Sequence, residues 1–264
     1  MNLCLAMFYS QGQARNTRGL ALLMLLAVLP LLSLATRNAI AAEPNLESTP
    51  INTAQYTIDS ATSYIHVYTG TTGLLKSVSH RHLIAISNIQ GDIRWNKDDG
   101  LNSANAQANL LIRPEQFIVD GNAERRTAVD KRYRKAAANW VKSGTRKNML
   151  GKRFFNIEFY PTITADIKLK SLNGEQGLFE VTLNIIGHTK QLSIPATLAV
   201  SDNTINVSGD FKLSHTDLGL KRYRAAGGAA SVAESLRFII NISASTIDPS
   251  DIIESSEKNR TNKH

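Results

Sequence analysis

Ser79-His80-Arg81-His82 places two imidazoles one residue apart. If Val78–Ile84 is a strand, His80 and His82 project from the same face, because side chains alternate along a strand. Two rings so arranged can begin a zinc site, with His66, His188 or His215 as the third protein ligand such sites usually need. They can equally offer hydrogen bonds to the polar head of a ligand at a pocket mouth. A third reading is a hydrogen-bonded turn with no ligand, since no acidic residue stands nearby in sequence. His188 lies in Gly187-His188-Thr189-Lys190, a tight polar connection that reads as structural. Tyr64, His66 and Tyr68 share one face of another extended run, which suits either an interior wall or an exposed stripe.

Catalysis finds little support in the remaining motifs. There is no Gly-x-Ser-x-Gly elbow, no His-Glu-x-x-His and no phosphate-cradling glycine loop followed by Lys-Ser or Lys-Thr. Asp59, Asp92, Asp166, Asp210 and Asp217 are scattered singly at turns or strand ends, where capping is their ordinary work. The single cysteine, Cys4, falls in an N-terminal leader. The expected molecule is therefore not an enzyme, carries no cofactor and has no disulfide framework.

The leader is read from Arg15 and Arg18 ahead of an apolar run from Gly19 to Ala35, interrupted by Pro30 and followed by Ala39-Ile40-Ala41. These features predict a signal peptide over residues 1–42, a flexible linker over 43–54, one domain over 55–246 and a disordered tail over 247–264. A retained membrane anchor is the alternative to cleavage. The chain carries a formal charge of +8 over 264 residues, and loss of the leader removes Arg15, Arg18 and Arg37 with no acid. About 220 residues suffice for a self-supporting core.

Within the domain, ten runs alternate with period two between Gly, Asn and Asp turns: near 55–59, 64–68, 83–87, 92–96, 105–112, 163–172, 178–186, 192–200, 205–213 and 236–244. The clearest is 183–200, in which Leu183 and Ile185 share one face and Leu192, Ile194, Ala196, Leu198 and Val200 share another across a tight turn. This pattern predicts an all-β protein, an antiparallel barrel or sandwich. One segment departs from it. Residues 122–143 place Val129, Tyr133, Ala136, Trp140 and Val141 at helical spacing, which predicts one inserted α-helix. Residues 124–153 hold eleven Lys and Arg against Glu124 and Asp130. So cationic a segment could lie on an anionic membrane, gather phosphate groups, or simply face water. Nucleic acid is not an expected partner of an exported chain.

Five short motifs in order, Tyr56-Thr57-Ile58-Asp59, Gln90-Gly91-Asp92-Ile93, Tyr160-Pro161-Thr162-Ile163, Ile186-Gly187-His188-Thr189-Lys190 and Asp217-Leu218-Gly219-Leu220, followed by Ser231-Val232-Ala233-Glu234, resemble the YceI-like family of secreted proteins. The resemblance spans most of the mature chain, in a branch with a His-x-His motif. It implies a lipocalin-like antiparallel β-barrel, often dimeric, whose apolar interior holds a polyisoprenoid or similar long-chain lipid without performing chemistry. A barrel of about eight strands is wide enough for one small ligand. On that reading the ligand-binding residues are Ile84, Ile86, Ile93, Trp95, Leu110 and Ile112, with His80 and His82 at the head group and no metal. Ile239 is also assigned to an inward face. The expected function is exported binding of a polyisoprenoid, quinone or fatty acid, in the periplasm or outside the cell. The alternatives are a metal-binding barrel using His80 and His82, and a ligand-free module presenting Arg125–Arg153 to an anionic membrane or a partner.

Overall fold

The computed structural model describes residues 53–77, 79–96, 106–135, 137–201 and 203–246. The predicted signal peptide, residues 43–52 of the predicted linker and the predicted tail lie outside them. Twelve strands are found among the described residues. They are β1 (Thr53–Ile58), β2 (Tyr64–Thr72), β3 (His82–Ile86), β4 (Gln90–Asn96), β5 (Gln107–Ile112), β6 (Ile118–Val119), β7 (Ile163–Asn173), β8 (Gln176–Ile185), β9 (His188–Val200), β10 (Thr204–Ser214), β11 (Arg224–Ala225) and β12 (Ala230–Thr246). Each of the ten expected runs is one of these; the two-residue strands β6 and β11 are too short to leave a period.

All pairings are antiparallel, in the order β1-β4-β5-β7-β8-β9-β10-β12, and Tyr56 to Ile58 of β1 return to Thr246 to Ala244 of β12 to close an eight-stranded barrel. β12 is 17 residues long, so its second edge serves two partners, β1 near its end and β2 along Ser231–Asn241. From β2 the sheet continues outward through β3 to β6. The β8–β9 connection turns on Ile186 and Gly187, with φ of 44° and 75°, the left-handed pair that a two-residue hairpin requires. At Gly91, φ is 154° and an added Cβ would run into the Asn109 carbonyl of β5, which explains the glycine of the Gln90-Gly91-Asp92 motif.

Burial alternates along the wall as the sequence pattern requires. In β7, Ile163, Ala165 and Leu169 are buried while Asp166, Lys168 and Lys170 face water. The β12 register corrects one expectation. Phe238, Ile240 and Ile242 face the interior, whereas Ile239 lies on the outer face against Tyr68 and Tyr133. A run of consecutive apolar residues gives no phase, so the inward set had to be decided by the neighbouring strands.

Residues 113–157 connect β5 to β7 around β6. Here the helix expected over 122–143 is replaced by two shorter ones, α1 (Asn122–Arg126) and α2 (Asn139–Leu150), with a 3-10 turn at Lys131–Tyr133 between them. The break has a local cause: the Asp130 side chain accepts from the backbone N–H of Arg132, capping the 3-10 turn in place of a continuing helix. Tertiary packing then holds it, because Ala128 and Tyr133 are buried against Tyr68 and Leu83. The supposed apolar stripe is dispersed: Val129 is 59% and Trp140 77% exposed.

Candidate functional site

The barrel interior contains a cavity of about 420 Å³ and a second of about 120 Å³. Six residues belong to the walls of both: Ile65, Leu110, Ile167, Val181, Ile194 and Ile240. These apolar side chains form a waist between two stacked chambers. Alternation places them there, since each comes from a strand whose other face meets solvent or the covering segment. The smaller chamber is walled by Ile93 and Trp95 of β4 and by Leu198 and Ile205. The larger is walled by Ile84 and Ile86 of β3 and Ile112 of β5, and its far end is built by Thr145, Asn148 and Met149 of α2 with Phe154 and Phe155. Phe117, Phe155 and Phe154 meet edge to face at 5.6 and 4.9 Å, which makes a firm apolar cover over the ends of β5, β7 and β8.

Thus the eight residues expected to contact a ligand all line one chamber or the other: His80, His82, Ile84, Ile86 and Ile112 the larger, Ile93 and Trp95 the smaller, and Leu110 both. The polar lining of the larger chamber includes Ser79, His80 and His82, Thr145 and Asn148 of α2, and His215, Tyr223 and Ser231. Neither cavity is lined by a Lys, Arg, Asp or Glu among the described residues.

His82 has a partner that sequence proximity could not suggest. Its Nδ1 stands 2.6 Å from Oδ2 of Asp120, 38 residues away, and its Nε2 stands 3.2 Å from the Thr145 hydroxyl. Asp120 is only 2% exposed. Its Oδ1 accepts the Leu83 N–H at 2.9 Å, and its own N–H donates to the Leu83 carbonyl at 2.8 Å. Asp120 adopts φ of 50°, a conformation that short polar residues tolerate, and Arg125 donates to its carbonyl at 3.0 Å. The expectation that the histidines lack an acidic partner is thereby corrected. His80 lies outside β3, exposed, with its ring centroid 6.4 Å from that of His82. No grouping of three or more His, Cys, Asp or Glu suited to a metal ion occurs among the described residues.

His215, another histidine of the larger chamber, is buried, its Nδ1 donating to the Glu234 carbonyl at 3.0 Å. By contrast Tyr64, His66 and Tyr68 lie on the outer face of β2, since Ile65, Val67 and Thr69 take the inner one. Tyr64 and His66 stack at 4.5 Å, and burial pushes the His66 imidazole below its usual range and the Tyr68 and Tyr133 phenols above theirs. His188 is exposed at the start of β9, and Asp59 and Asp217 hold turns through Thr62 and Ser214. Phe159 and Tyr160 are exposed.

Much of the positive charge of residues 125–153 is engaged locally. Arg125 is buried and also reaches Asn122 and the Arg134 carbonyl; Arg134 donates to the Ala128 carbonyl; Arg146 donates to the Phe117 and Glu115 carbonyls; Arg132 pairs with Asp130 at 2.6 Å. Asp120 and Thr145 were missed as site residues because each is an ordinary polar residue until the fold brings it beside His82.

The model of the YceI-like domain matches residues 56–244. No curated protein matches the chain. Among solved structures, BcnA of Burkholderia cenocepacia is similar at 15% identity and a TM-score of 0.49, over 70% of this chain and 98% of that one. The Campylobacter jejuni YCEI protein is similar at 15% identity and a TM-score of 0.43, over 62% of this chain and 85% of that one.

Proposed function

Because this chain belongs to the YceI-like family, we propose that it is an exported, non-enzymatic carrier that holds one long-chain lipid, a polyisoprenoid, quinone or fatty acid, along the axis of its barrel. The observation that carries the reading is the pair of stacked chambers, lined almost wholly by apolar side chains. The larger chamber falls in the range of about 300–1,000 Å³ common for small-molecule sites. Apolar burial of a long chain there is favourable at roughly 25 cal/mol per Å², and the polar lining at one end gives such a molecule a direction. Export is supported by the leader pattern of residues 1–42.

Native mass spectrometry of untagged full-length protein, with a solvent extract analysed in parallel and the cell fractionated, tests this reading. A bound lipid of defined mass in an exported fraction is the expected result. Protein that is empty and stays empty when offered long-chain lipids would overturn it.

A second reading concerns the surface. Trp140 and Val129 are exposed in the same segment as the exposed cations Arg126, Lys131, Lys135 and Lys147, a combination suited to an anionic bilayer face. Co-sedimentation with anionic vesicles that weakens with salt and with charge reversal at Lys131 and Lys135 is expected; binding indifferent to both would remove this reading.

A further inference from the structure

Resting on the lipid-carrier reading, we infer that the polar end of the larger chamber is built for a neutral hydroxyl head group, held between His82 Nε2 and Thr145 Oγ1. The argument begins with proton inventory. Asp120 as a carboxylate can only accept, and it already takes the Leu83 N–H on Oδ1. Its 2.6 Å contact therefore places a proton on His82 Nδ1, and in the neutral imidazole that tautomer offers a lone pair on Nε2. A backbone carbonyl likewise only accepts, so the contact with Glu234 puts a proton on Nδ1 of His215, whose ring also lines the chamber. The Thr145 hydroxyl, 3.2 Å from His82 Nε2, can both donate and accept.

A ligand hydroxyl has the matching pair of functions. It donates its proton to His82 Nε2 and accepts that of Thr145, replacing the bond those residues make with each other. An anionic head finds no such match. Neither Lys nor Arg lines the chamber among the described residues, so a buried phosphate or carboxylate would be left without a Lys or Arg counter-charge. Three arginines of the covering segment, Arg125, Arg134 and Arg146, hold backbone carbonyls.

The test uses delipidated full-length protein, an apolar fluorescent probe in the cavity, and displacement by hexadecane, hexadecanol, hexadecanoate and hexadecyl phosphate delivered from cyclodextrin. Hexadecanol is expected to compete roughly three- to tenfold better than hexadecane, the worth of one net hydrogen bond, and better than either anion. Thr145→Val should bring the alcohol-to-alkane ratio close to one, and Thr145→Ser should retain it. A wild-type ratio near one, a stronger anion, or a ratio that survives Thr145→Val would overturn the inference while leaving the carrier reading in place. Failure of every compound and of the probe to bind would instead overturn the carrier reading. Nitrogen NMR of histidine-labelled wild-type protein serves where the variant does not fold: hexadecanol, and not hexadecane, should move the His82 Nε2 resonance, and an unmoved resonance overturns the assignment.

Discussion

The barrel wall and the 113–157 segment that covers its end bury their residues by different means. In β7 to β10 every second side chain turns inward, so strand geometry alone delivers Ala165, Ile185, Ile194 and Ile205 to the interior. The covering segment has no such regularity. Its anchors, Phe117, Tyr133, Val141, Leu150 and Phe155, are spaced irregularly, and its shape is held by side chains bonded to backbone carbonyls. The repetitive wall supplies apolar volume, while the covering segment and β3 supply the Asp120–His82–Thr145 group at one end of the cavity. Repetition is economical for making a tube but cannot place one carboxylate behind one imidazole; irregular chain can.

The comparison can be broken at several points. Trp95→Ala opens the wall of the smaller chamber and should cost about 3–5 kcal/mol in the global unfolding transition, read by denaturant titration. A loss below about 1 kcal/mol would mean the chamber collapses around the change and the wall is not a packed unit. Asp120→Ala removes the acceptor of both the Leu83 N–H and His82, and should cost about 2–3 kcal/mol. Its hydrogen-exchange effect should concentrate in β3 and residues 118–135; uniform loss of protection around the barrel would merge the two regions into one cooperative unit. Tyr133→Phe keeps the packing against Tyr68, at 4.9 Å edge to face, and deletes the hydrogen bond to the Thr69 carbonyl. A loss of about 1 kcal/mol is expected, felt most in residues 128–134.

The smallest effect is electrostatic. Hydrogen bonds from Arg132 pull the Asp130 carboxyl down to about 2. A carboxyl depressed on folding stabilises the native state above its unfolded value, near 3.8, and that contribution disappears as pH falls through about 2. Because Arg132 is largely exposed, less than about 1 kcal/mol is at stake. Asp130→Asn should flatten this part of the acid limb of the stability curve; an unchanged limb would show that the pair does not contribute.

The ten long strands and most of their inward residues were legible because a half-buried strand writes its own period into the chain, and Ile93 and Trp95 or Leu110 and Ile112 need no partner to show their phase. Ile239 was misread because Phe238, Ile240 and Ile242 stand around it, so the run has no phase of its own. The helix of 122–143 was misread because spacing records which residues are apolar, not whether Asp130 will cap a turn or whether Trp140 will find anything to cover it.

The sequence by itself determined the all-β class, the strand order along the chain, the hairpin within 183–200 and the apolar character of the tube, all of which follow from local stereochemistry and alternation; the structure moved the turn of that hairpin from Gly187–Lys190 to Ile186 and Gly187. Only the tertiary structure decided that two chambers meet at a waist, that Ile239 looks outward, and that His82 sits between Asp120 and Thr145. Those features join residues far apart in sequence, and a hydrogen bond across 38 or 63 residues leaves no periodic trace because it depends on where the closed barrel brings two loops, not on how either is spelled.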